Sequence, residues 1–473
     1  MHRLSGEDAG FLSMEQPEQA MNTIAVGSLR APGGGPTGVT IEDVRTHIAG
    51  RLDQLPSFRW RIVAVPFGLH HPMAVRDPDF ELDYHLREAT LADGQSLDDL
   101  FAHLAEQRLD RRHPLWQLTL VHGLPDGEQA LILKYHHCLA DGVAAFTTFS
   151  RVFSDAPTEP IPDVELPWKP EKVPSKLLLV WLAFLDHLAA LLSIPGIALR
   201  AKRGFDAVKA RRSKTAVAVP EFSGAAPNSA LNDAFTPERA YARAVLPLAA
   251  VKEAKDAAGV TLNDVVLATV AGGLRGYLAD RDELPSLPLL ASVPVSYEAA
   301  DAPVRQAGNR FWSFTTSLAT DVADPAERLA AISATAAEAK EQLTILGPDL
   351  MPAVLDHVPP FITEPGAKAL IERLRASDDL VDANVLISNI RGPAQPWSLF
   401  GCEVHDLFID GPPSNGVGLN VMLWSYGDRL LLGILAFADA LRDPAALTRH
   451  VEAAFAELHG AVSARPAAPT APA

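Results

Sequence analysis

Gln129-Ala130-Leu131-Ile132-Leu133-Lys134-Tyr135-His136-His137-Cys138-Leu139-Ala140-Asp141-Gly142 is the stretch on which the reading of this chain turns. Its first seven residues are strand-like. Upstream, Pro125-Asp126-Gly127 supplies a turn and Gln117 to Val121 alternates polar with apolar residues, so a hairpin is predicted. Downstream, Val143 to Phe153 places apolar residues at helical spacing. A dense polar group thus closes an apolar strand at a strand-to-helix junction.

Imidazole is the side chain whose ordinary pKa lies nearest neutrality, so one histidine of the pair can take a hydroxyl proton during attack on an acyl carbon. Adjacent strand residues point to opposite faces, so only one of the two faces a given cavity. Asp141, across a turn from His137, holds the loop through backbone hydrogen bonds or an arginine. Gly142 lacks a Cβ and permits close approach where the helix begins, and a helix N-terminus there favours an anionic group. Set against this, an arbitrary histidine pair is more often buried and merely hydrogen-bonded. Cys138 raises a covalent Cys-His alternative, but a neighbouring strand position turns its thiol away from His137. No Gly-x-Ser-x-Gly elbow occurs.

The remaining composition narrows the class. The chain has 473 residues, 48% hydrophobic and 21% charged, which predicts two folded domains of roughly 200 residues each. A net charge of −17 repels nucleic acid, while a local basic group or helix N-terminus can still take an anionic substrate. Cys138 and Cys402 are the only cysteines and have no zinc-ligand spacing, so neither a metal nor a disulfide framework is expected. The opening Met-His-Arg-Leu-Ser-Gly-Glu-Asp lacks the apolar core of a secretory signal, and a cytoplasmic location follows as an expectation.

Pro157, Pro160, Pro162, Pro167, Pro170 and Pro174 mark a connector. The expected division is 1–165, a connector and apolar/basic crossover at 166–230, 231–463, and a disordered tail at 464–473. In the second half Leu248 to Ala258 and Leu262 to Leu278 read as helices, and Leu287 to Val295 and Phe311 to Leu318 as extended. Val417 to Ser425 and Arg429 to Phe437 read as a hairpin and Pro444 to Leu458 as a closing helix, so the class is α/β with mixed sheets. Leu177 to Leu199 is mostly apolar but carries Asp186-His187 and Pro195, which disfavours a membrane span. It reads either as a surface-lying amphipathic helix whose neighbours Lys202, Arg203, Lys209, Arg211, Arg212 and Lys214 suit anionic headgroups, or as a buried connector.

His136-His137-Cys138-Leu139-Ala140-Asp141-Gly142 matches the HHxxxDG signature of the chloramphenicol acetyltransferase-like superfamily, which includes condensation domains of peptide synthetases. Pro114-Leu115-Trp116, the run Leu262-Asn263-Asp264-Val265-Val266-Leu267-Ala268, the opening Leu4-Ser5 with Asp8-Ala9-Gly10-Phe11-Leu12, and Ser388-Asn389-Ile390-Arg391-Gly392-Pro393 all resemble motifs of the bacterial wax ester synthase/diacylglycerol acyltransferase family. Arg391 departs from the apolar residue or proline usual there, which bears on loop shape and not on chemistry.

This resemblance implies two chloramphenicol acetyltransferase-like domains, each a mixed sheet with flanking helices, and an active site between them. It implies acyl transfer from acyl-coenzyme A, as substrate and with no bound cofactor, to diacylglycerol or a fatty alcohol, on the cytoplasmic face of a membrane or a lipid droplet. His137 would be the base, His136 its support and Asp141 structural. Asn263 and Gly142 would contact substrate or the developing oxyanion. Asn263 and Asp264 also fit ordinary capping of a helix start, and Trp116 fits a packed aromatic. Two rivals share the motif: a condensation-type or polyketide-associated enzyme with a carrier-protein donor, and a catalytically silent lipid-binding protein.

Overall fold

A computed structural model describes residues 1–473 except 157–167, 222–224, 233–235, 300, 301, 303, 304, 377–380, 415 and 465–473. Most of the proline-rich connector and the C-terminal tail lie outside the described residues. The predicted hairpin forms from Trp116–His122 and Gln129–His136, paired antiparallel with Leu118 opposite Leu133. The helix after the motif runs Gly142–Val152.

Two six-stranded sheets dominate the described residues. In the first, the order is Ser398–Leu399, Cys402–Asp410, Asn22–Arg30, Gln129–His136, Trp116–His122 and Leu86–Thr90. In the second it is Phe311–Ser317, Leu290–Ser296, Val385–Ile390, Leu419–Tyr426, Arg429–Phe437 and Arg239–Pro247. Each is mixed: Leu86–Thr90 runs parallel to Trp116–His122, and Val385–Ile390 runs parallel to both its neighbours. The expected hairpin of the second half is present, with Val421 opposite Ile434.

The two halves are not contiguous units of sheet. Residues 398–410 lie in the 231–463 segment, yet they complete the first sheet, with Phe408 opposite Val26. The physical reason is edge protection. Asn22–Arg30 is buried over eight of its nine residues, and without Cys402–Asp410 it would expose a row of unpaired backbone groups beside an apolar face.

Strand alternation joins the sheets. Along Leu419–Tyr426, Leu419, Val421 and Leu423 fill the core of the second half, while Met422, Trp424 and Tyr426 fill that of the first. Trp424 Nε1 donates to Leu407 O at 2.8 Å and the Tyr426 hydroxyl donates to Val404 O at 2.7 Å. These buried polar tips find partners on the strand that crosses over.

The apolar stretch forms two helices, Lys176–Ala190 and Ile194–Arg212, bent by 53°. Among the described residues no single helix is long and apolar enough to cross a membrane. Only Leu179 and Ala183 of the first helix are buried. Several of the basic residues beyond it are already committed: Lys202 pairs with Asp206, Arg211 with Glu338, and Arg212 with Glu221.

Candidate active site

The strand Gln129–His136 delivers the histidines to the seam between the sheets. The His136 amide donates to Leu115 O at 2.9 Å, so the Pro114-Leu115-Trp116 segment registers the motif. Trp116 itself is packed: its Nε1 donates to Phe58 O at 2.8 Å and its ring stacks on Phe58 and His85. The His136 ring is buried, with Nδ1 accepting from the Cys138 amide at 3.1 Å. Glu15 Oε1 lies 3.6 Å from its Nε2.

His137 turns the other way. Its amide donates to Met21 O at 2.8 Å, and its ring stacks on Phe11 with centroids 4.1 Å apart. The ring lines a cavity of about 200 Å³ that also includes Phe11, Met21, Gly142, Phe311, Ser388 and Ile390. A larger cavity, about 350 Å³, lies by Met1, Arg59 and Trp168 and does not include the motif. Burial lowers the His137 pKa below that of an ordinary histidine, opposed by its own carbonyl, Asp141 and Asn309. Its ring therefore favours the neutral form, which can accept a proton. Burial pushes His136 down much further, and Cys138, whose thiol is sealed, well up.

Asp141 is the joint of the seam. One oxygen caps the helix Gly142–Val152, accepting from Val143 N at 3.0 Å and Ala144 N at 3.1 Å. The other accepts from Arg305 Nη2 at 2.6 Å and from the Arg310 amide at 2.8 Å, both in the second half. Arg305 also bonds Glu298 at 2.8 Å. The Asp141 amide donates to Gly308 O at 3.2 Å and the Gly308 amide to Leu139 O at 2.6 Å. Gly142 faces Ile390 so closely that a Cβ would fall 2.8 Å from Ile390 Cδ1. The helix start is thus pressed against the strand Val385–Ile390 of the other sheet.

The opening segment supplies the third side. Ser5 and Asp8 form a capping box on the helix Gly6–Met14. That helix presents Phe11 to His137, Asp8 to Asn309 and Glu7 to the Phe311 amide and the Tyr297 hydroxyl. Burial raises the Glu7 pKa to about 7.

The candidates divide accordingly. His137, Asp141 and Gly142 meet at one cavity, which the buried His136 does not line. Asn263 does not join them. It is half-buried in the first turn of the helix Leu262–Ala279, whose N-cap is Thr261, and it does not line the His137 cavity. Asp264 completes the capping box there and accepts from Ser333 Oγ at 3.0 Å, as a helix-start reading predicts. Arg305, Asn309 and Glu298 escaped the sequence reading, because no local periodicity marks a loop that acts on a motif in the other half of the chain. Among the described residues no group of His, Cys, Asp or Glu is arranged to hold a metal.

Residues 4–266 match the wax ester synthase/diacylglycerol acyltransferase catalytic domain, and residues 307–459 match the C-terminal domain of the same family. A Mycobacterium tuberculosis protein bearing the name diacylglycerol O-acyltransferase is 35% identical over 467 residues, covering 98% of this chain and 96% of its own length. A second from that organism is 32% identical over 475 residues, covering 98% of each. The wax ester synthase/diacylglycerol acyltransferase of Marinobacter aquaeolei superposes with a TM-score of 0.66 at 25% identity, covering 98% of this chain and all of that one. The first condensation domain of the calcium-dependent antibiotic synthetase shares the fold at a TM-score of 0.55 and 15% identity, covering 99% of this chain and 97% of its own. With both halves matched to the family and these two relatives aligned along nearly the whole length, the chain belongs to the wax ester synthase/diacylglycerol acyltransferase family.

Proposed function

We propose that this protein transfers a fatty acyl group from acyl-coenzyme A to diacylglycerol or a long-chain alcohol, with His137 as general base. The observation that carries this reading is the placement of the His137 imidazole, its pKa lowered by burial, on a cavity at the seam of two sheets. The alcohol O–H gives its proton to Nε2 of His137, and the oxygen attacks the thioester carbonyl. The tetrahedral species collapses, the thiolate of coenzyme A leaves, and the imidazolium returns the proton to sulfur. Acid–base chemistry of this kind calls on no metal or prosthetic group.

Asn263 lies away from the cavity, so the oxyanion needs another donor. Ser388 shares a face of Val385–Ile390 with Leu386 and Ile390 and lines the same cavity, which makes its hydroxyl the candidate. A covalent route through Cys138 is disfavoured, since its thiol is buried and held protonated. A carrier-protein donor, as in condensation enzymes, has only a shared fold behind it.

We also place the working enzyme on a lipid surface, the inner membrane face or a lipid droplet. Leu177, Trp181, Phe184, Leu188 and Leu192 are exposed on or just beyond Lys176–Ala190, with Phe67, Phe361 and Ile362 exposed on adjoining elements. His187 bonds Leu69 O at 2.6 Å, and Gly68 lies against Phe361, which brings these elements together. An exposed apolar face of this extent, with Arg203 and Lys209 outside any described ion pair, suits an interfacial helix.

The test is ester synthesis from long-chain acyl-coenzyme A with diacylglycerol or fatty alcohol, with the product lipids resolved. His137→Ala is expected to lower kcat roughly 100- to 10,000-fold at an unchanged melting temperature. Activity within a few-fold of the parent removes the general-base role. A parent protein that binds acyl-coenzyme A without turning it over supports the silent lipid binder.

A further inference from the structure

The free edge of the second sheet bounds a cavity that the chemistry at His137 leaves unused. About 260 Å³ in volume, it is lined by Phe205, Trp312, Phe314, Leu343, Leu346 and Met351. Phe311–Ser317 ends that sheet, and the helices Ile194–Arg212, Pro325–Leu346 and Leu350–Leu355 supply the other walls. Gly204 lets the first of these helices lie directly on the end of the second, since a Cβ there would fall 2.8 Å from Leu346 O. The charged and amide groups at the rim are spent on one another. Arg212 donates to Gln342 and Glu221, each at 2.8 Å, and to Pro220 O at 2.9 Å. Among the described residues, none of the lining side chains has a buried polar atom without a partner. What remains is a hydrocarbon wall, and an apolar cavity of this kind stays dry and takes apolar ligands.

The cavity has an outer and an inner end. Phe205 lines it while 47% exposed, and Ile194, about three turns away on the same face of the helix, is exposed by 45%. The outer end therefore borders the apolar surface that begins on Lys176–Ala190, to which this helix is joined through the bend. At the inner end, Ser313 lines this cavity and Phe311 lines that of His137. The two fall on one face of their strand, opposite Pro294 and Ser296, which also line the His137 cavity. Two residues of strand span roughly 7 Å, so one short step along Phe311–Ser317 separates the cavities.

We propose that this cavity receives the hydrocarbon chain of the acyl acceptor, whose hydroxyl then lies along Phe311–Ser317 toward His137. Under the acyl-transfer reading, on which this rests, two kinds of chain must be seated, and the surroundings choose between them. Diacylglycerol and long-chain alcohols dissolve in lipid, and the outer end of the cavity borders the face assigned to lipid. Acyl-coenzyme A carries phosphates that need cations or water, and the cation lining this cavity, Arg212, is already held by Glu221, Gln342 and Pro220. A chain seated here gains apolar contact with its length, at roughly fourfold in affinity per methylene. Leu343 and Met351 are thereby determinants of acceptor length.

The experiment is acceptor selectivity in Leu343→Trp and Met351→Trp, each of which puts an indole into the cavity, at saturating acyl-coenzyme A. The ratio of kcat/KM for hexadecanol to that for octanol is expected to fall about tenfold or more, the effect of about two displaced methylenes. Octanol is expected to stay within a few-fold of the parent, and the preference among acyl-coenzyme A chain lengths to stay unchanged. An unchanged ratio in folded variants, or a shift in donor preference in its place, overturns the proposal. Should the variants fold poorly, the parent protein supplies a second measurement. Hexadecanol bearing a terminal diazirine is irradiated with the full chain in the absence of acyl-coenzyme A, and the labelled peptides are identified by mass spectrometry. Label is expected within 312–315 or 339–351, and label confined to other segments overturns the proposal. A parent that makes no ester from any alcohol would instead remove the acyl-transfer reading, while the label still reports where the chain binds.

Discussion

Replacing Trp181, Phe184, Leu188 and Leu192 together with glutamine is expected to release the protein from lipid vesicles while leaving its fold intact. These residues share one face of the helix Lys176–Ala190 and the turn after it, at spacings of three and four. They are exposed by 57%, 56%, 54% and 87%. Fully burying such a side chain is worth roughly 1.5–3 kcal/mol. Taking half of the lower figure for each of the four gives about 3 kcal/mol, which is about a hundredfold in partitioning. Glutamine keeps a methylene stem and a high helix propensity, so packing within the helix is largely preserved. Co-sedimentation with vesicles of phosphatidylcholine and phosphatidylglycerol measures the loss, and differential scanning fluorimetry the fold. Raising salt is expected to weaken binding by much less than the glutamines do, since Lys202, Arg211 and Arg212 are already paired with Asp206, Glu338 and Glu221. Unchanged vesicle binding, with or without a collapsed melting temperature, refutes the assignment of this face to lipid.

Three further outcomes follow from the site. Arg305→Met leaves the nearly sealed carboxylates of Asp141 and Glu298 without their shared cation, and breaking a buried pair costs about 3–5 kcal/mol. Its melting temperature is expected to fall by several degrees, and a parent-like value would mean that the seam does not depend on this contact. His137 has its pKa lowered, so its base form survives below the ordinary histidine range. The profile of kcat/KM should therefore stay flat on lowering pH through 6.5 and fall only further down, and an acid limb at or above 6.5 contradicts the assignment. Asn263→Ala is expected to keep kcat/KM within a few-fold, because the residue lies off the cavity, and a hundredfold loss in kcat would restore it as a substrate contact.

Local signals in the sequence reached as far as local interactions do. The turn at Pro125-Asp126-Gly127, the apolar run before His136 and the helical spacing after Gly142 each depend on residues a few positions apart, and the hairpin and helix formed as they predict. The Leu262–Ala279 start was legible as a capped helix through Asn263 and Asp264, but of these only Asp264 takes part in the cap, with Thr261 as the N-cap residue and Asn263 in the first turn. By contrast, Cys402–Asp410 joins the first sheet through partners near the opposite end of the chain, at Ile24 to Arg30, a choice that no alternation within the strand specifies. The resemblance of Asp8-Ala9-Gly10-Phe11-Leu12 to a family motif was visible without its chemistry. That chemistry is Phe11 on the His137 ring and Asp8 on Asn309, and both contacts exist only after the helix has docked.

The same geometry makes a motif written wholly in the first half depend on the second half for its hydrogen bonds. Asp141 could cap its helix alone, as capping aspartates do, and that would satisfy one oxygen. Among the described residues its other oxygen and its amide are met by Arg305, Arg310 and Gly308. Leu139 O and His137 O likewise find their donors in Gly308 and Asn309. Sealing these groups without partners would cost roughly 1–3 kcal/mol each, so closing the cavity around His137 is favourable only when the 305–310 loop is in place. The strand 402–410 adds a second dependence in the same direction, since the first sheet takes Cys402–Asp410 from the second half. The first half is therefore incomplete twice over without the second, in its site and in its sheet. The surroundings of His137 are complete only in the assembled seam.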